Sequence, residues 1–338
     1  MSREVRVAGS VRVDLLGGTL DLNPINLILP NVVTLNLATS LKAKVKITEI
    51  DFNGVEIVSL DYNSSNKFLT SEFTAENFNN NHFGPLSFVA QILNLLGLTK
   101  GAKIELESGS PPGAGLGGSS AMGVTCFKAI SEYVGRPFDR IEAIAKVNSI
   151  EAKILDCGPA GYQDYYPALF GGVLALHPRP GHVMVEQLFS EDLKNALEEH
   201  VTLVYSGETR LSGISNWEVY KGFFNKDKEI RRGLESIADL SFEAYQAIKK
   251  NKFDDLTRLI AAEGDERRKL FSGILTPSMQ QLMNVLRECS SDFGMKVCGA
   301  GGGGCFLITH SSKNKADLEK IISEFNMKAL PFNVEGPL

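Results

Sequence analysis

The sequence is poor in the features that mark disulfide scaffolds, zinc sites and transmembrane spans. It has 5 cysteines among 338 residues, and none forms a Cys-x-x-Cys pair, so neither a disulfide framework nor a zinc site is predicted. The 5 histidines show no metal-ligand spacing. The most apolar early stretch, 27–41, is interrupted by Pro30 and Asn31 and is too short and too polar to cross a bilayer. We therefore expect a reduced, cytoplasmic setting and no membrane partner.

The charge balance is equally unremarkable. Charged residues make up 22% of the chain, hydrophobic residues 43%, and the formal net charge is −5, as in an ordinary globular protein. No nucleic-acid partner is predicted from this balance. An anionic ligand would therefore have to be held by a local site rather than by the overall field of the protein.

The length and the order of the patterns indicate two α+β domains. A chain of 338 residues exceeds the usual size of one hydrophobic core, and Pro178–Gly181 is a candidate boundary. We predict domains at 1–180 and 181–338. Strand patterns dominate residues 3–60, a polar stretch at 63–81 is expected to be a loop-rich insertion, and helices dominate the second half. The main helical patterns are 121–134, 139–154, 228–250, 253–271 and 277–292.

The most informative segment is a glycine-rich one at 111–121. Four glycines in the six positions 113–118 allow backbone conformations that other residues avoid. Two serines and a helical pattern follow. A glycine loop that leads into a helix offers free backbone N–H groups and the positive end of a helix dipole. The segment therefore predicts a phosphate site, the alternative being a glycine-rich turn with a helix cap.

A second glycine run, 299–304, lies between two apolar strand patterns. Five glycines in six residues carry a large entropic cost for an ordinary turn. Glycine in a strand context marks a close approach of the backbone to another group. We expect this run to pack against the first glycine loop and to shape the phosphate pocket; the alternative is a flexible hairpin tip.

Three motifs in this order resemble those of the GHMP kinases, the family of galactokinase, homoserine kinase, mevalonate kinase and phosphomevalonate kinase. Segment 111–121 is similar to the family's Pro-x-x-x-Gly-Leu-x-Ser-Ser-Ala, 299–304 to its Gly-Ala-Gly-Gly-Gly-Gly, and 11–17 to its N-terminal motif. Within the family the chain resembles sugar kinases, especially the D-glycero-D-manno-heptose 7-phosphate kinase group, in 163–165 and 205–210.

This resemblance implies an α+β, two-domain GHMP kinase fold, with an N-terminal domain like ribosomal protein S5 domain 2 and a ferredoxin-like C-terminal domain. It implies an ATP- and Mg²⁺-dependent kinase that phosphorylates a small-molecule sugar or sugar phosphate at the anomeric hydroxyl, as a monomer or homodimer. Two alternatives stay open. One is a mevalonate-type isoprenoid kinase of the same fold, and the other is a catalytically silent relative that binds a sugar or nucleotide.

The resemblance assigns the cofactor site to the first glycine loop and two Mg²⁺ ligands. Ser119 matches the family's magnesium-binding serine, and a hydroxyl oxygen suits that ion; alternatively, Ser119 caps the following helix. Glu151, on the predicted helix 139–154, is the second expected ligand, or else a solvated helix carboxylate. The backbone expected to bind the ATP phosphates is that of Pro112, Gly113, Ala114, Gly115, Leu116, Gly117, Gly118, Ser119 and Ser120.

Asp164 and Arg12 are the predicted catalytic pair. Asp164 follows an irregular turn that can aim a carboxylate into a cleft, and the resemblance places it where the substrate hydroxyl gives up its proton. Arg12 is expected to hold Asp164 ionised and to stabilise the moving phosphoryl group. The alternatives are a turn aspartate that bonds its own backbone and an arginine on a strand surface.

The substrate pocket is predicted from loop residues of both halves. Asp21 would accept hydrogen bonds from sugar hydroxyls, or else is an ordinary loop aspartate. Arg210 would bind a second phosphate on the substrate. The other predicted substrate contacts are Gly18, Thr19, Gln163, Gly301 and Gly302.

The basic run 267–269 lies among acids on a helical pattern and is expected to be a solvated face.

Overall fold

The computed structural model describes residues 3–155, 161–208 and 214–338. Within these ranges the strands are β1 (Glu4–Leu16), β2 (Thr34–Glu49), β3 (Gly54–Ser59), β4 (Ser64–Leu69), β5 (Ala102–Glu107), β6 (Val173–Arg179), β7 (His182–Gln187), β8 (Val201–Tyr205), β9 (Gly294–Val297), β10 (Cys305–Thr309) and β11 (Lys328–Leu330).

The α-helices of the same ranges are α1 (Ile25–Ile28), α2 (Ala75–Asn79), α3 (Ser87–Leu95), α4 (Gly118–Val134), α5 (Arg140–Leu155), α6 (Tyr166–Phe170), α7 (Glu191–His200), α8 (Ile214–Phe224), α9 (Lys228–Lys249), α10 (Leu256–Leu270), α11 (Pro277–Cys289) and α12 (Lys315–Glu324). No helix of the described chain combines the length and the apolar character needed to cross a membrane.

The first sheet is organised by the long strand β2. Ala43, Val45 and Ile47 are buried on one face, while Lys44 is exposed on the other, as expected for a strand with one face on the core. β2 pairs antiparallel with β1 along one edge and with β6 and β5 along the other, which gives the order β4-β3-β5-β2-β6-β7 with β1 on β2. Helix α4 packs on β1 and β2.

The second sheet is antiparallel and has the order β11-β8-β10-β9. Helices α8 to α11 connect its first two strands in the chain, and α12 connects its last two. This is the helix and strand alternation of a ferredoxin-like unit. The two-domain α+β fold expected from the sequence is confirmed.

Two segments differ from the sequence-based expectation. The polar stretch 63–81 is not loop throughout, because β4 lies within it and pairs with β3; its polar side chains suit an edge strand in contact with solvent. Pro178 and Arg179 belong to β6 and pair with β7, so only residues 180 and 181 form the turn between the two strands. The first sheet therefore extends to Gln187, past the boundary predicted at residue 180, because strand pairing continues across that turn.

The two glycine runs meet between the sheets. The N–H of Cys305 donates to the carbonyl oxygen of Ala114 at 2.6 Å. Gly304 has a φ of +75°, and a Cβ built there would lie 2.7 Å from the carbonyl oxygen of Ala114 and 2.8 Å from that of Gly113. The two runs therefore pack against each other, and position 304 has room only for glycine.

We predict that Gly304→Ala lowers the free energy of unfolding more than Gly97→Ala does. Both glycines have a φ of +75°, but a Cβ at Gly97 would meet nothing within 4 Å. The cost of placing alanine in a left-handed conformation is therefore the same at both positions, about 1 kcal/mol. The crowding at Gly304 adds roughly 1–3 kcal/mol to the loss there. Urea unfolding of both variants measures the difference. Equal losses would show that the two runs do not depend on this contact.

Candidate active site

The first glycine loop ends at the N-terminus of α4. Gly113, Gly115 and Gly117 have φ values of +68°, +74° and +66°, which glycine adopts readily. Gly117 is the N-cap of α4, and no side chain caps the helix. The first-turn N–H groups therefore remain available to an anion at the positive end of a 17-residue helix. Ser119 lies inside the first turn, so it is not the cap.

Arg12 and Asp164 form an ion pair beside this loop. Nε and Nη2 of Arg12 each lie 2.8 Å from Oδ1 of Asp164. Arg12 comes from β1 and Asp164 from the short 3₁₀ turn Gln163–Tyr165. Asp164 thus pairs with a guanidinium from a neighbouring strand rather than with its own backbone. Its side chain is 24% exposed, so the carboxylate is accessible to a ligand.

Arg12 is buried and connects three segments. Its Nη1 donates to the carbonyl oxygens of Gly115 at 2.5 Å and Cys298 at 2.6 Å, and 2% of the residue is exposed. It is therefore not a strand-surface arginine. A Cβ on Gly117 would lie 3.0 Å from Cβ of Asp164 and 3.2 Å from Cγ of Arg12. The helix N-terminus, the carboxylate and the guanidinium are thus packed together.

Glu151 faces the start of α4 and is not a solvated carboxylate. Its Oε2 accepts hydrogen bonds from the hydroxyls of Ser120 at 2.7 Å and Tyr165 at 2.6 Å. Burial raises the pKa of Glu151, and hydrogen bonds from Tyr165, Ser120 and Ser119 partly offset that rise. The two residues predicted as Mg²⁺ ligands therefore lie together.

The donor set at Glu151 and Ser119 fits a magnesium ion shared with phosphates. A carboxylate and a hydroxyl are hard oxygen donors, and Mg²⁺ commonly binds one or two carboxylates plus substrate phosphates and waters. Among the described residues, no group of three or more His, Cys, Asp and Glu side chains could hold a metal ion by itself. An ion completed by nucleotide oxygens is the arrangement that suits these residues.

Asp21 is a buried acceptor next to the turn that carries Asp164. It is 4% exposed, and its Oδ2 accepts the backbone N–H of Gln163 at 3.1 Å. Gly161 packs on this carboxylate, since a Cβ there would lie 2.1 Å from Oδ2. Burial, and then the charge of Asp164, raise the pKa of Asp21 to about 6. Asp21 is therefore not an ordinary loop aspartate.

Gln163 lies next to Asp21, and Gly18 lies next to Gln163. Gln163 is 4% exposed, and its Oε1 has no hydrogen-bond partner among the described residues. Its Nε2 lies 2.9 Å from where a Cβ of Gly18 would be. A buried amide oxygen without a protein partner is a group that a ligand hydroxyl can satisfy.

Four buried charged side chains, which sequence reasoning missed, support the segment 17–21. Nζ of Lys296 lies 2.9 Å from Oδ2 of Asp14, and Nη2 of Arg267 lies 2.5 Å from Oε1 of Glu263 and 3.4 Å from Asp14. The two positive and two negative charges offset each other. Burial opposes the ionisation of Asp14, but Lys296 and Arg267 outweigh it and hold its pKa below the usual value. We call these four residues the buried quartet.

Arg267 overturns the expectation that 267–269 is a solvated basic face. Arg267 is 2% exposed; its Nη1 donates to Oγ1 of Thr19 at 3.0 Å and its Nη2 to the carbonyl oxygen of Gly18 at 2.8 Å. Lys269 is largely exposed and pairs with Glu266. The helical spacing of the sequence could have shown that Arg267 lies on the buried face of this helix and Lys269 does not. The buried face of α10 consists of Leu256, Leu259, Ile260, Glu263, Gly264, Arg267 and Leu270.

The structure gives less information on the other three residues predicted to contact the substrate, Gly301, Gly302 and Arg210. A Cβ on Gly301 would lie 2.6 Å from the carbonyl oxygen of Ile274, and the N–H of Gly302 donates to that oxygen at 2.9 Å. Both glycines therefore pack on the segment before α11. Arg210 lies outside the described residues. The substrate role of these three residues stays a prediction.

Family models match both halves of the chain. The model described as GHMP kinases N terminal domain matches residues 85–172, and the one described as GHMP kinases C terminal matches residues 244–328. The chain belongs to the GHMP kinase family. The first match contains the glycine loop, Glu151 and Asp164, and the second contains Arg267 and the second glycine run.

Individual relatives are distant. The chain is 24% identical to the L-fucokinase/L-fucose-1-P guanylyltransferase of Bacteroides fragilis over 93% of its length and 35% of that protein. It is 24% identical to the D-glycero-alpha-D-manno-heptose 7-phosphate kinase of Campylobacter jejuni over 95% of this chain and 93% of that one. The crystal structure of the mevalonate kinase of Methanococcus jannaschii superposes with a TM-score of 0.77 at 20% identity, over 99% of both chains; this likeness concerns the fold.

The length of the matches differs among these relatives. The chain spans about a third of the length of the first curated relatives it matches, which are both bifunctional fucokinase proteins by name. What the whole proteins do therefore does not transfer with the alignment.

We predict that the Asp21 carboxyl group titrates near pH 6 and that Asp164→Asn lowers its pKa. Removing the negative charge of Asp164 makes ionisation of Asp21 easier, so the pKa moves down toward the ordinary value of about 3.9. Carbon-13 NMR of the aspartate carboxyl groups over pH 4–8 follows the titration, and Asp21→Asn identifies the signal. An Asp21 resonance that titrates near pH 4 in the unmodified protein would contradict its burial beside Asp164.

Proposed function

We propose that this protein is an ATP- and Mg²⁺-dependent kinase that phosphorylates a sugar or sugar phosphate, at the anomeric hydroxyl. The observation that carries the proposal is the packing of three elements around Gly117. Gly117 is the N-cap of the helix α4, which no side chain caps, and a Cβ built there would lie 3.0 Å from Cβ of Asp164 and 3.2 Å from Cγ of Arg12. Phosphoryl transfer needs positioning, charge neutralisation and often a base, and this cluster offers all three.

Asp164 is the proposed base. Both contacts with Arg12 use Oδ1, and Oδ2 forms no hydrogen bond with any described residue, so Oδ2 is the atom that can accept the proton of the attacking hydroxyl. The bonds from Arg12 fix the orientation of the carboxylate. Arg12 itself is held by the carbonyl oxygens of Gly115 and Cys298, so the base is positioned from the glycine loop and from the second sheet together.

The nucleotide phosphates would be bound by the backbone of 112–120, where the first turn of α4 presents its N–H groups. Glu151 and Ser119 would hold Mg²⁺, in agreement with the oxygen donors found there. When bound, this ion neutralises charge that builds up on the phosphate oxygens during transfer. Ser120 and Tyr165 hold the Glu151 carboxylate in place.

The acceptor pocket favours neutral hydroxyl groups. Asp21 and the unpartnered Oε1 of Gln163 are acceptors, and hydroxyl groups of a sugar are the donors that fit them. Mevalonate has fewer hydroxyl groups than a sugar, so it would satisfy fewer of these acceptors. Relatives named as fucokinase and heptose 7-phosphate kinase agree with a sugar acceptor.

A mevalonate-type kinase is the second candidate, because proteins named mevalonate kinase are also among the relatives of similar sequence identity. A silent binding protein is less well supported, since Arg12, Asp164 and the Glu151–Ser119 pair are all in place. The cytoplasmic setting, the monomeric or homodimeric state, the absence of nucleic-acid and membrane partners, and the phosphate contact of Arg210 stay predictions.

We predict that the purified protein releases ADP from Mg²⁺-ATP with a sugar or sugar phosphate and not with mevalonate. The panel is L-fucose, D-galactose, a heptose 7-phosphate and mevalonate, each with and without EDTA. Asp164→Asn should lower turnover by about a hundredfold or more, as expected for loss of a base, with nucleotide affinity unchanged. Asp192→Asn is the matched control, because Asp192 is an exposed carboxylate on α7.

Each outcome of this assay is decisive. ADP release with mevalonate alone would move the protein to the isoprenoid kinases. No release with any acceptor, while ATP still binds, would contradict the proposed activity. Turnover of Asp164→Asn equal to that of Asp192→Asn would remove Asp164 as the base.

A further inference from the structure

Thr19 adopts a backbone conformation that its side chain disfavours. Its φ is +69°, in the left-handed region that is a genuine outlier for a β-branched residue. Such conformations persist only where surrounding contacts hold them. Thr19 lies two residues before Asp21 in the segment 17–21. The contacts that hold Thr19 therefore also position the segment that carries Asp21.

The group that holds Thr19 comes from the other half of the chain. Arg267, on α10, donates from Nη1 to the hydroxyl oxygen of Thr19 at 3.0 Å and from Nη2 to the carbonyl oxygen of Gly18 at 2.8 Å. Two adjacent acceptors on one strained turn are thus bound by one planar fork, a geometry that guanidinium provides and ammonium does not.

The buried quartet keeps this fork in place. Glu263 accepts from Nε and Nη2 of Arg267, and Lys296 offsets the charge of Asp14 at 2.9 Å. Asp14 accepts the N–H of Gly18 at 3.2 Å, and Glu263 lies 3.4 Å from the N–H of Gly17. Backbone donors and acceptors of the segment 17–21 are therefore both bound by members of the quartet.

We propose that Arg267 is a positioning residue for acceptor binding: it holds Gly18 and Thr19 so that the Thr19 hydroxyl and the Asp21 carboxylate face the acceptor. Because Arg267 donates to the Thr19 oxygen, the Thr19 proton is directed elsewhere, and no described residue accepts it. Thr19 therefore presents a donor and Asp21 an acceptor. The substrate class this pair suits is a polyol with neighbouring oxygens of both roles. The kinetic part of this inference rests on the proposed function.

Amide hydrogen exchange tests the positioning without any substrate. Arg267→Lys keeps the charge of the quartet but loses the fork, so exchange in residues 17–21 should become at least about tenfold faster. Exchange in 111–121 should not change. Arg268→Lys is the matched control on the same helix, because Arg268 pairs with Asp265 and not with the segment 17–21. Unchanged exchange in 17–21 would overturn the proposal.

A second variant covers the case in which Arg267→Lys fails to fold. Thr19→Val removes the acceptor hydroxyl and leaves all four charges of the quartet, so it should also speed exchange in 17–21 while the protein melts cooperatively. Faster exchange spread over the whole chain, with none specific to 17–21, would show a merely structural role and overturn the proposal.

Steady-state kinetics with the acceptor found in the panel test the consequence for binding. Arg267→Lys should raise the KM for the acceptor by about tenfold or more, with the KM for ATP changed less than about twofold, and Arg268→Lys should match the unmodified protein. An unchanged acceptor KM would contradict the positioning role. If no acceptor is phosphorylated by the unmodified protein, the proposed function fails, and the exchange experiment alone decides the role of Arg267.

Discussion

The burial of the Arg12 guanidinium is the constraint on which the arrangement of the site depends. A charge that is 2% exposed is costly unless it is fully paired and hydrogen-bonded. Its partners are Asp164, Gly115 and Cys298, which belong to three separate segments. Any conformation that satisfies Arg12 therefore brings the base turn, the glycine loop and the end of β9 to one point.

The pairing of the buried cations also explains why the phosphate site that we propose uses backbone N–H groups rather than a free cation. In the described part of the chain, Arg12 is committed to Asp164, and Arg267 and Lys296 are committed to Asp14 and Glu263. The positive charge near the loop is thus already balanced by protein carboxylates. An incoming phosphate would be met by the N–H groups of α4 and by the metal ion that we propose at Glu151.

The sequence predicted the parts of the site that depend on local chemistry. The two glycine runs were recognisable because left-handed φ values and close backbone contacts leave few residues other than glycine, and the contact at Gly304 confirms their packing. The pairing of Asp164 with Arg12 was predicted through motif resemblance, and the two side chains form an ion pair. The buried quartet was missed because a charged residue is ordinarily on the surface. Its burial depends on partners far away in the chain, such as Asp14 for Lys296, and no local pattern contains that pairing.

The strands show the same difference between features that a local pattern reveals and features that depend on distant partners. The alternation in β2 predicted a strand because its buried face is local information, whereas β4 was read as loop because an edge strand with polar residues carries no such alternation. The segment Pro178–Gly181 was predicted to be a domain boundary, since proline and glycine mark a break in regular structure without showing whether the flanking residues pair as strands.

The most direct test of this account is an experimental structure of the protein with a non-hydrolysable ATP analogue and Mg²⁺. The account predicts that the phosphates contact the backbone of 112–120, that the metal touches Glu151 or Ser119, and that the terminal phosphate faces Asp164. A nucleotide bound elsewhere would contradict it, for example in the cavity of about 690 Å³ beside His200 and His310. So would a terminal phosphate that points away from Asp164.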